Sequence, residues 1–369
     1  MTCTSKTCEQ CSRRLVLTGY DAPRPGSQVL ETYNAAGFAG LPGRMVRPVT
    51  PAHSSTPGAG GSRPVPASGH RKVVCGMGRV TARERILRIR EGVGSERVDT
   101  LVVEEPLEIR LDGAPLSITM RTPGNDFDLA AGFLVSEGVV AEGREVAAIR
   151  YCAGATEDGS NTYNVLDVSL APGVPLPDTS LERNFYTSSS CGLCGKASLD
   201  AVRTKARWPV GEDGLRIDVP TLTELPERLR ESQRVFDRTG GLHAAGLFTA
   251  GGELLALRED VGRHNAVDKL IGWALLSDRL PLRETVLMVS GRASFELVQK
   301  AWMAGIPMMA AVSAPSSLAV DLAAEAGMTL VGFLRGRSMN VYTGRDRILL
   351  DAPEKAALPE GSLTFPPAP

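Results

Sequence analysis

The sequence predicts an α/β fold: a mixed sheet ending in a parallel βαβαβ unit, with a smaller α+β region before it. Three observations carry that expectation. Short apolar strands at Val286–Val289, Met308–Val312 and Met328–Phe333 alternate with helical stretches at Ser294–Ala304 and Ser316–Ala326, as parallel strands joined by right-handed crossovers do. Upstream, two alternating segments flank Asp112-Gly113 and lead into an amphipathic helix. The first 76 residues, by contrast, cluster Pro, Gly, Ser and Thr over Pro48–Gly69 and hold no sustained apolar periodicity.

Taken in order, residues 1–76 are read as a disordered leader, with a gene start near Met77 as the accompanying expectation. Cys3, Cys8 and Cys11 in that leader lack the fourth ligand a closed zinc site needs. The N-terminal α+β region, 77–190, opens on alternation through Leu101–Glu105 and Leu107–Arg110, turns at Asp112-Gly113 and resumes over Leu116–Met120. Asn125 or Asp126 then caps a helix whose Leu129, Ala130, Phe133 and Leu134 share one face. Strands are expected at Ala148–Cys152 and Tyr163–Leu170. A connecting segment, 191–222, holds a C-x-x-C loop, and an α/β domain covers 223–350. In that domain a helix runs from Thr223 toward Phe236 and stops at Gly240-Gly241, strands follow at His243–Thr249 and Glu253–Leu257, and a helix spans His264–Leu276. Residues 351–369 are read as a flexible tail.

Composition narrows the function. The chain has 369 residues, 43% hydrophobic and 22% charged, with a formal net charge of −1 and no run of basic residues, so a nucleic-acid partner is not expected. No stretch reaches the roughly 20 apolar residues of a membrane helix, and no apolar signal segment opens the chain, so the expected location is the cytoplasm. Seven cysteines, an odd number, argue for reduced thiols rather than a disulfide framework.

Three constellations can carry chemistry. In Ser190-Cys191-Gly192-Leu193-Cys194-Gly195 the glycines keep a loop open ahead of an expected helix, whose N–H groups, with Lys196 and Arg183, favour thiolate. Such a pair can accept sulfane sulfur, but also fits half of a zinc site, a thioredoxin-like dithiol or plain packing. The second constellation is the set of loops after the three parallel strands: Ser290-Gly291-Arg292, Ser313-Ala314-Pro315-Ser316-Ser317 and Arg335-Gly336-Arg337-Ser338. All three belong on the carboxyl edge of the sheet, where two helix N-termini and Arg292, Arg335 and Arg337 suit phosphate or pyrophosphate. The third is Glu259-Asp260-Val261-Gly262-Arg263-His264-Asn265, in which His264 beside Asp260 and Arg263 is a candidate proton carrier or ligand contact, with a structural role equally open. The carboxylates of Gly124–Asp128 are read as structural.

Met120–Leu134, the Ser189–Gly195 loop, Glu259–Lys269 and Ser290-Gly291-Arg292, four motifs in this order, resemble the formate dehydrogenase accessory sulfurtransferase family, FdhD, over about Arg79 to Gly344. The resemblance implies a sulfurtransferase that takes sulfur from a cysteine desulfurase and passes it to the molybdenum bis(guanine dinucleotide) cofactor of formate dehydrogenase. Carried over by position, Cys191 matches the persulfide-forming cysteine, Cys194 its partner, and Phe333-Leu334-Arg335-Gly336-Arg337-Ser338 the cofactor-binding segment. It also implies a homodimer and a three-layer core like that of cytidine deaminases. Deaminase activity is not expected: His243-Ala244-Ala245 lacks the glutamate proton shuttle, and the C-x-x-C comes earlier than a deaminase requires. The rival function is a cofactor-binding insertion chaperone without sulfur chemistry, and a zinc hydrolase is a third.

Overall fold

The computed structural model describes residues 80–152, 163–176 and 205–350. The leader, the tail and the segment with Cys191 and Cys194 lie outside the described residues.

The chain enters through a ribbon that the sequence reading missed. Strands β1 (Thr81–Arg90) and β2 (Val93–Val102) pair antiparallel in an unbroken register from Thr81↔Val102 to Arg90↔Val93. Glu91 (φ 51°) and Gly92 (φ 81°) make the turn, both in the left-handed region that matches the ribbon's twist. Its arginines and glutamates hide the period-two pattern. The run expected to continue from Leu101 through Glu105 is in fact divided: Leu101 and Val102 end β2, and Glu105 starts β3.

Strands β3 (Glu105–Leu111) and β4 (Ala114–Arg121) form the expected hairpin, with Asp112 (φ 47°) and Gly113 (φ 86°) as its turn. Helix α1 covers Asp126–Ser136, followed by β5 (Val146–Tyr151) and β6 (Val165–Leu170). The four strands make a sheet of order β4-β3-β6-β5, parallel only between β3 and β6. Asn125 does not cap α1 with its side chain. It sits at φ 54°, and Asp126 instead turns back to grip Arg121.

The short strand β7 (Ile217–Asp218) leads into α2 (Val219–Ser232), which begins earlier than the expected Thr223. The reason is local: Asp218 accepts from the Thr221 amide at 2.7 Å, and Pro220 fits the first turn. A short α3 (Phe236–Thr239) ends at Gly240, φ 65°. Next come β8 (His243–Thr249), β9 (Leu254–Asp260) and α4 (Arg263–Leu276). The expected βαβαβ unit is then β10 (Thr285–Val289), α5 (Phe295–Met303), β11 (Met308–Ala311), α6 (Ser317–Ala326) and β12 (Thr329–Arg335). It ends in β13 (Ser338–Thr343), while β14 (Ile348–Leu349) pairs with β7.

These strands form a six-stranded sheet of order β13-β12-β11-β10-β8-β9, with β10, β11 and β12 parallel. Leu270, Leu297 and Leu322 of α4, α5 and α6 share one buried cluster with Leu247, Leu287 and Met309, whereas Leu222, Leu225 and Leu229 of α2 share another with Phe248, Val286 and Met308. The larger sheet is thus the middle of three layers. Helices α1 and α4 cross at two glycines: a methyl on Gly132 would lie 1.8 Å from the Asp268 carbonyl oxygen, and one on Gly272 1.8 Å from that of Asp128. Only glycine permits this approach, which ties the smaller region to the larger one. Among the described residues no helix is long and apolar enough to cross a membrane.

Candidate functional site at the carboxyl edge

Parallel pairing of β10, β11 and β12 brings the three candidate loops side by side. The first is tied to the second by Ala293 N–H to Ala314 O at 3.2 Å and Ser316 N–H to Ala293 O at 3.0 Å. The third joins it through Phe333 N–H to Ser313 O at 3.2 Å and Arg335 Nε to Val312 O at 2.7 Å. Because β8 runs antiparallel to β10, its first residue, His243, arrives at the same edge.

Within the third loop the side chains divide. Leu334 is fully buried in the core, so in this segment its side chain packs inward and only its backbone lies at the edge. Phe333, Arg335, Gly336, Arg337 and Ser338 are exposed. Phe333 holds φ 52° where β12 leaves its register, a non-glycine backbone strain worth about 1–3 kcal/mol. It turns an aromatic ring to solvent at the rim. Arg292 and Arg337 are exposed and have no acidic partner among the described residues.

The helix N-termini differ. At α6, Ser316 Oγ accepts from the Ala319 amide at 3.3 Å, so that end is capped internally. Helix α4 has no side-chain cap, and its first turn carries Arg263 and His264 rather than an acid. The Arg263 guanidinium there opposes the helix dipole and suits an anion. His264 Nε2 stands 3.8 Å from Glu296 Oε2 and 3.5 Å from Ser294 Oγ. His264 holds the Glu296 carboxyl at about 2, against the push of burial. At that distance the contact is looser than a hydrogen bond, and it is an ion pair only when the imidazole is protonated.

Asp260 is not His264's partner. It is wholly buried, with Lys269 Nζ at 2.7 Å and the Thr122 amide, the Gly262 amide and Asn265 Nδ2 at 3.1, 2.8 and 3.1 Å. Most of the Glu259–Lys269 motif is therefore structural. The same holds for Asp126, which grips Arg121 at 3.1 and 2.9 Å and accepts from Tyr151 Oη at 3.0 Å, and for Asp128, bound to Arg258.

A cavity of about 520 Å³ opens at this edge on the α2 side, of the size that takes a small ligand. Its wall includes Leu229, Gln233, Phe236, His243, Ser290 and Val312. Gln233 is 3% exposed, and its carboxamide Nε2 is buried without a hydrogen-bond partner. An orphaned buried donor costs about 1–3 kcal/mol, so the site favours an acceptor. Burial, then the charges of Arg263 and His264, lower the His243 pKa below the usual histidine range and keep its ring neutral. Ser290 Oγ accepts from the Ala244 amide at 2.9 Å, leaving its own proton to donate. Arg230, stacked 4.7 Å over Phe236, is neutralised by Asp237. The cavity is therefore uncharged and polar at a few points, while the loops beside it are cationic.

The structure thus brings together Ser290, Gly291, Arg292, Phe333, Arg335, Gly336, Arg337 and Ser338, with His264 on the α4 side. Cys191 and Cys194 lie outside the described residues. Sequence reading missed Gln233 and Phe236, because both close an ordinary amphipathic helix pattern; the Gly240-Gly241 break after them was the one local sign.

Fold and edge define an α/β protein whose parallel strands present a cationic rim beside a neutral cavity. The FdhD/NarQ family model matches residues 102–349. The chain belongs to that family. It is 72% identical over 277 residues to the sulfur carrier protein FdhD of Streptomyces coelicolor, covering 75% of this chain and 98% of the relative. It is 59% identical over 275 residues to the sulfur carrier protein FdhD of Mycobacterium tuberculosis, covering 74% of this chain and all of the relative. A crystal structure of a formate dehydrogenase accessory protein from Desulfotalea psychrophila superposes with a TM-score of 0.57 at 25% identity, covering 73% of this chain and 100% of that one.

Proposed function

We propose that this chain is a sulfurtransferase that carries sulfane sulfur on Cys191 and delivers it to a molybdenum bis(guanine dinucleotide) cofactor held at the carboxyl edge. A sulfur-transfer role in formate dehydrogenase maturation comes with the family; the residues and the cofactor are our reading. In the first step the Cys191 thiolate attacks the terminal sulfur of a cysteine desulfurase persulfide. The old S–S bond breaks, the desulfurase leaves as thiolate, and a Cys191 persulfide forms without net redox change. Cys194 is the assisting thiol.

The orphaned Gln233 amide in a neutral cavity beside a cationic rim carries the cofactor reading. A guanine base supplies acceptors for Gln233 and Ser290, and its pyrophosphate falls to Arg292, Arg335, Arg337 and the α4 N-terminus with His264. The three layers around β8, β9 and the βαβαβ unit support a cytidine-deaminase-like core. A cytoplasmic homodimer is part of the same reading.

Incubating the full chain with a cysteine desulfurase and cysteine should add about 32 Da, one sulfur, to its intact mass, and Cys191→Ala should abolish the adduct. An adduct that persists in Cys191→Ala would place the sulfur elsewhere. Fully active formate dehydrogenase from cells carrying Cys191→Ala would leave a binding role without sulfur chemistry.

A further inference from the structure

We propose that the β1–β2 ribbon is the arm through which two copies of this chain associate, edge to edge along β1. This rests on the homodimer reading above and names its surface.

The ribbon forms a sheet of its own, pairing with no other strand among the described residues. Leu87, Ile89, Val93 and Val98 are 64%, 65%, 71% and 63% exposed. Its base meets the body, where a methyl on Gly241 would lie 3.2 Å from Val102 Cγ1. A two-stranded hairpin is marginal in water without further strands or a packed face. Nor is its edge interrupted: β1 has ten residues in regular register, with no proline and no bulge. Natural edges of this length are usually covered, bent or broken.

The occupant is indicated by the charge pattern of β1, Thr81-Ala82-Arg83-Glu84-Arg85-Ile86-Leu87-Arg88-Ile89-Arg90. A parallel in-register pairing would set each arginine against its own copy. An antiparallel two-fold pairing centred on Ile86 sets Glu84 against Arg88 of the second copy, and one centred on Leu87 sets it against Arg90. In both, Arg85 faces Leu87 or Ile89, and no arginine faces an arginine. Both also suit the backbone. With Arg90 and Val93 closing the turn, Arg83, Arg85, Leu87 and Ile89 turn their N–H and C=O groups outward, where a second β1 can accept them. The ten residues of β1 from each copy meet along this edge, with β2 behind them in the same sheet. Joined, the ribbons become a four-stranded sheet, past the two-stranded size that is marginal in water.

The test is sedimentation of the full chain across a concentration series, comparing wild type, Glu84→Arg, Leu87→Lys and the triple variant Glu84→Arg/Arg88→Glu/Arg90→Glu. All these positions are exposed, and unchanged thermal melting of the body checks that each variant folds. The expected result is a wild-type dimer, a dissociation constant raised at least tenfold by Glu84→Arg and by Leu87→Lys, and recovery in the triple variant, where the charges are exchanged and opposite signs again face each other. A dimer indifferent to Glu84→Arg and Leu87→Lys would overturn the ribbon and leave the homodimer reading standing. Dissociation without recovery would overturn the antiparallel β1 pairing. A wild-type monomer at every concentration would overturn both.

Discussion

Lys269 is 1% exposed and gives its ammonium to Asp260 at 2.7 Å and to the Thr122 carbonyl at 2.8 Å. Taking two charges out of water is expensive, so such a pair adds little net stability, yet losing one partner strands the other. Lys269→Met is therefore expected to cost about 3–5 kcal/mol in urea unfolding, and adding Asp260→Asn should recover part of that loss rather than deepen it. Additive costs would mean the two act independently. A second residue-level expectation concerns acid. The Glu296 carboxyl lies at about 2 in the folded chain against its usual 4.5, so folding keeps it ionised. Its contribution is complete above pH 4.5 and is lost as pH falls through 2. Because Glu296 is partly exposed, the effect is under about 1 kcal/mol. In Glu296→Gln that part of the acid-side fall in urea midpoint should vanish, and an unchanged slope would assign it to other carboxylates.

The crossing of α1 and α4 is an effect of whole elements. Two helix backbones meet where each glycine would otherwise drive a methyl into a carbonyl oxygen 1.8 Å away. Gly272→Ala must push the helices apart, loosening Asp128–Arg258 and the Ser136–Asp268–Lys300 network between the two regions. The expected cost is at least about 1–3 kcal/mol, read as a fall in melting temperature. A neutral Gly272→Ala would show that the helices slide apart freely. Which elements were legible in sequence follows from what each residue faces. The βαβαβ unit was readable because its strands are buried on both sides and so read as unbroken apolar runs. The Asp112-Gly113 hairpin was readable because left-handed turns need such residues. The β1–β2 ribbon was not, since a strand with both faces in solvent shows no alternation. At the α1 start Asn125 holds the N-cap position as expected, but no side chain caps there, because Asp126 turns to Arg121 on the preceding strand.

For the molecule as a whole, the same long-range logic divides the candidate site. Loops on one edge of a parallel sheet can be placed from strand order alone, so Ser290–Arg292 and Arg335–Ser338 were foreseeable. Gln233 was not, because its burial depends on α2 packing against the far side of that sheet. The division makes a specific prediction, since the rim is charged and the cavity is not. With GDP as a probe, Arg337→Ala should weaken binding about tenfold at low salt and flatten its salt dependence, because an exposed guanidinium acts through screened charge. Gln233→Leu should weaken GDP by a similar factor while leaving the salt dependence unchanged. It should also keep or raise thermal stability, since it removes a buried donor that the free protein leaves unpaired. Titration calorimetry at two salt concentrations separates the two variants. If Gln233→Leu binds GDP like wild type, the cavity does not read the base; if it loses stability instead, Gln233 is bonded within the protein and its amide is not free for a ligand.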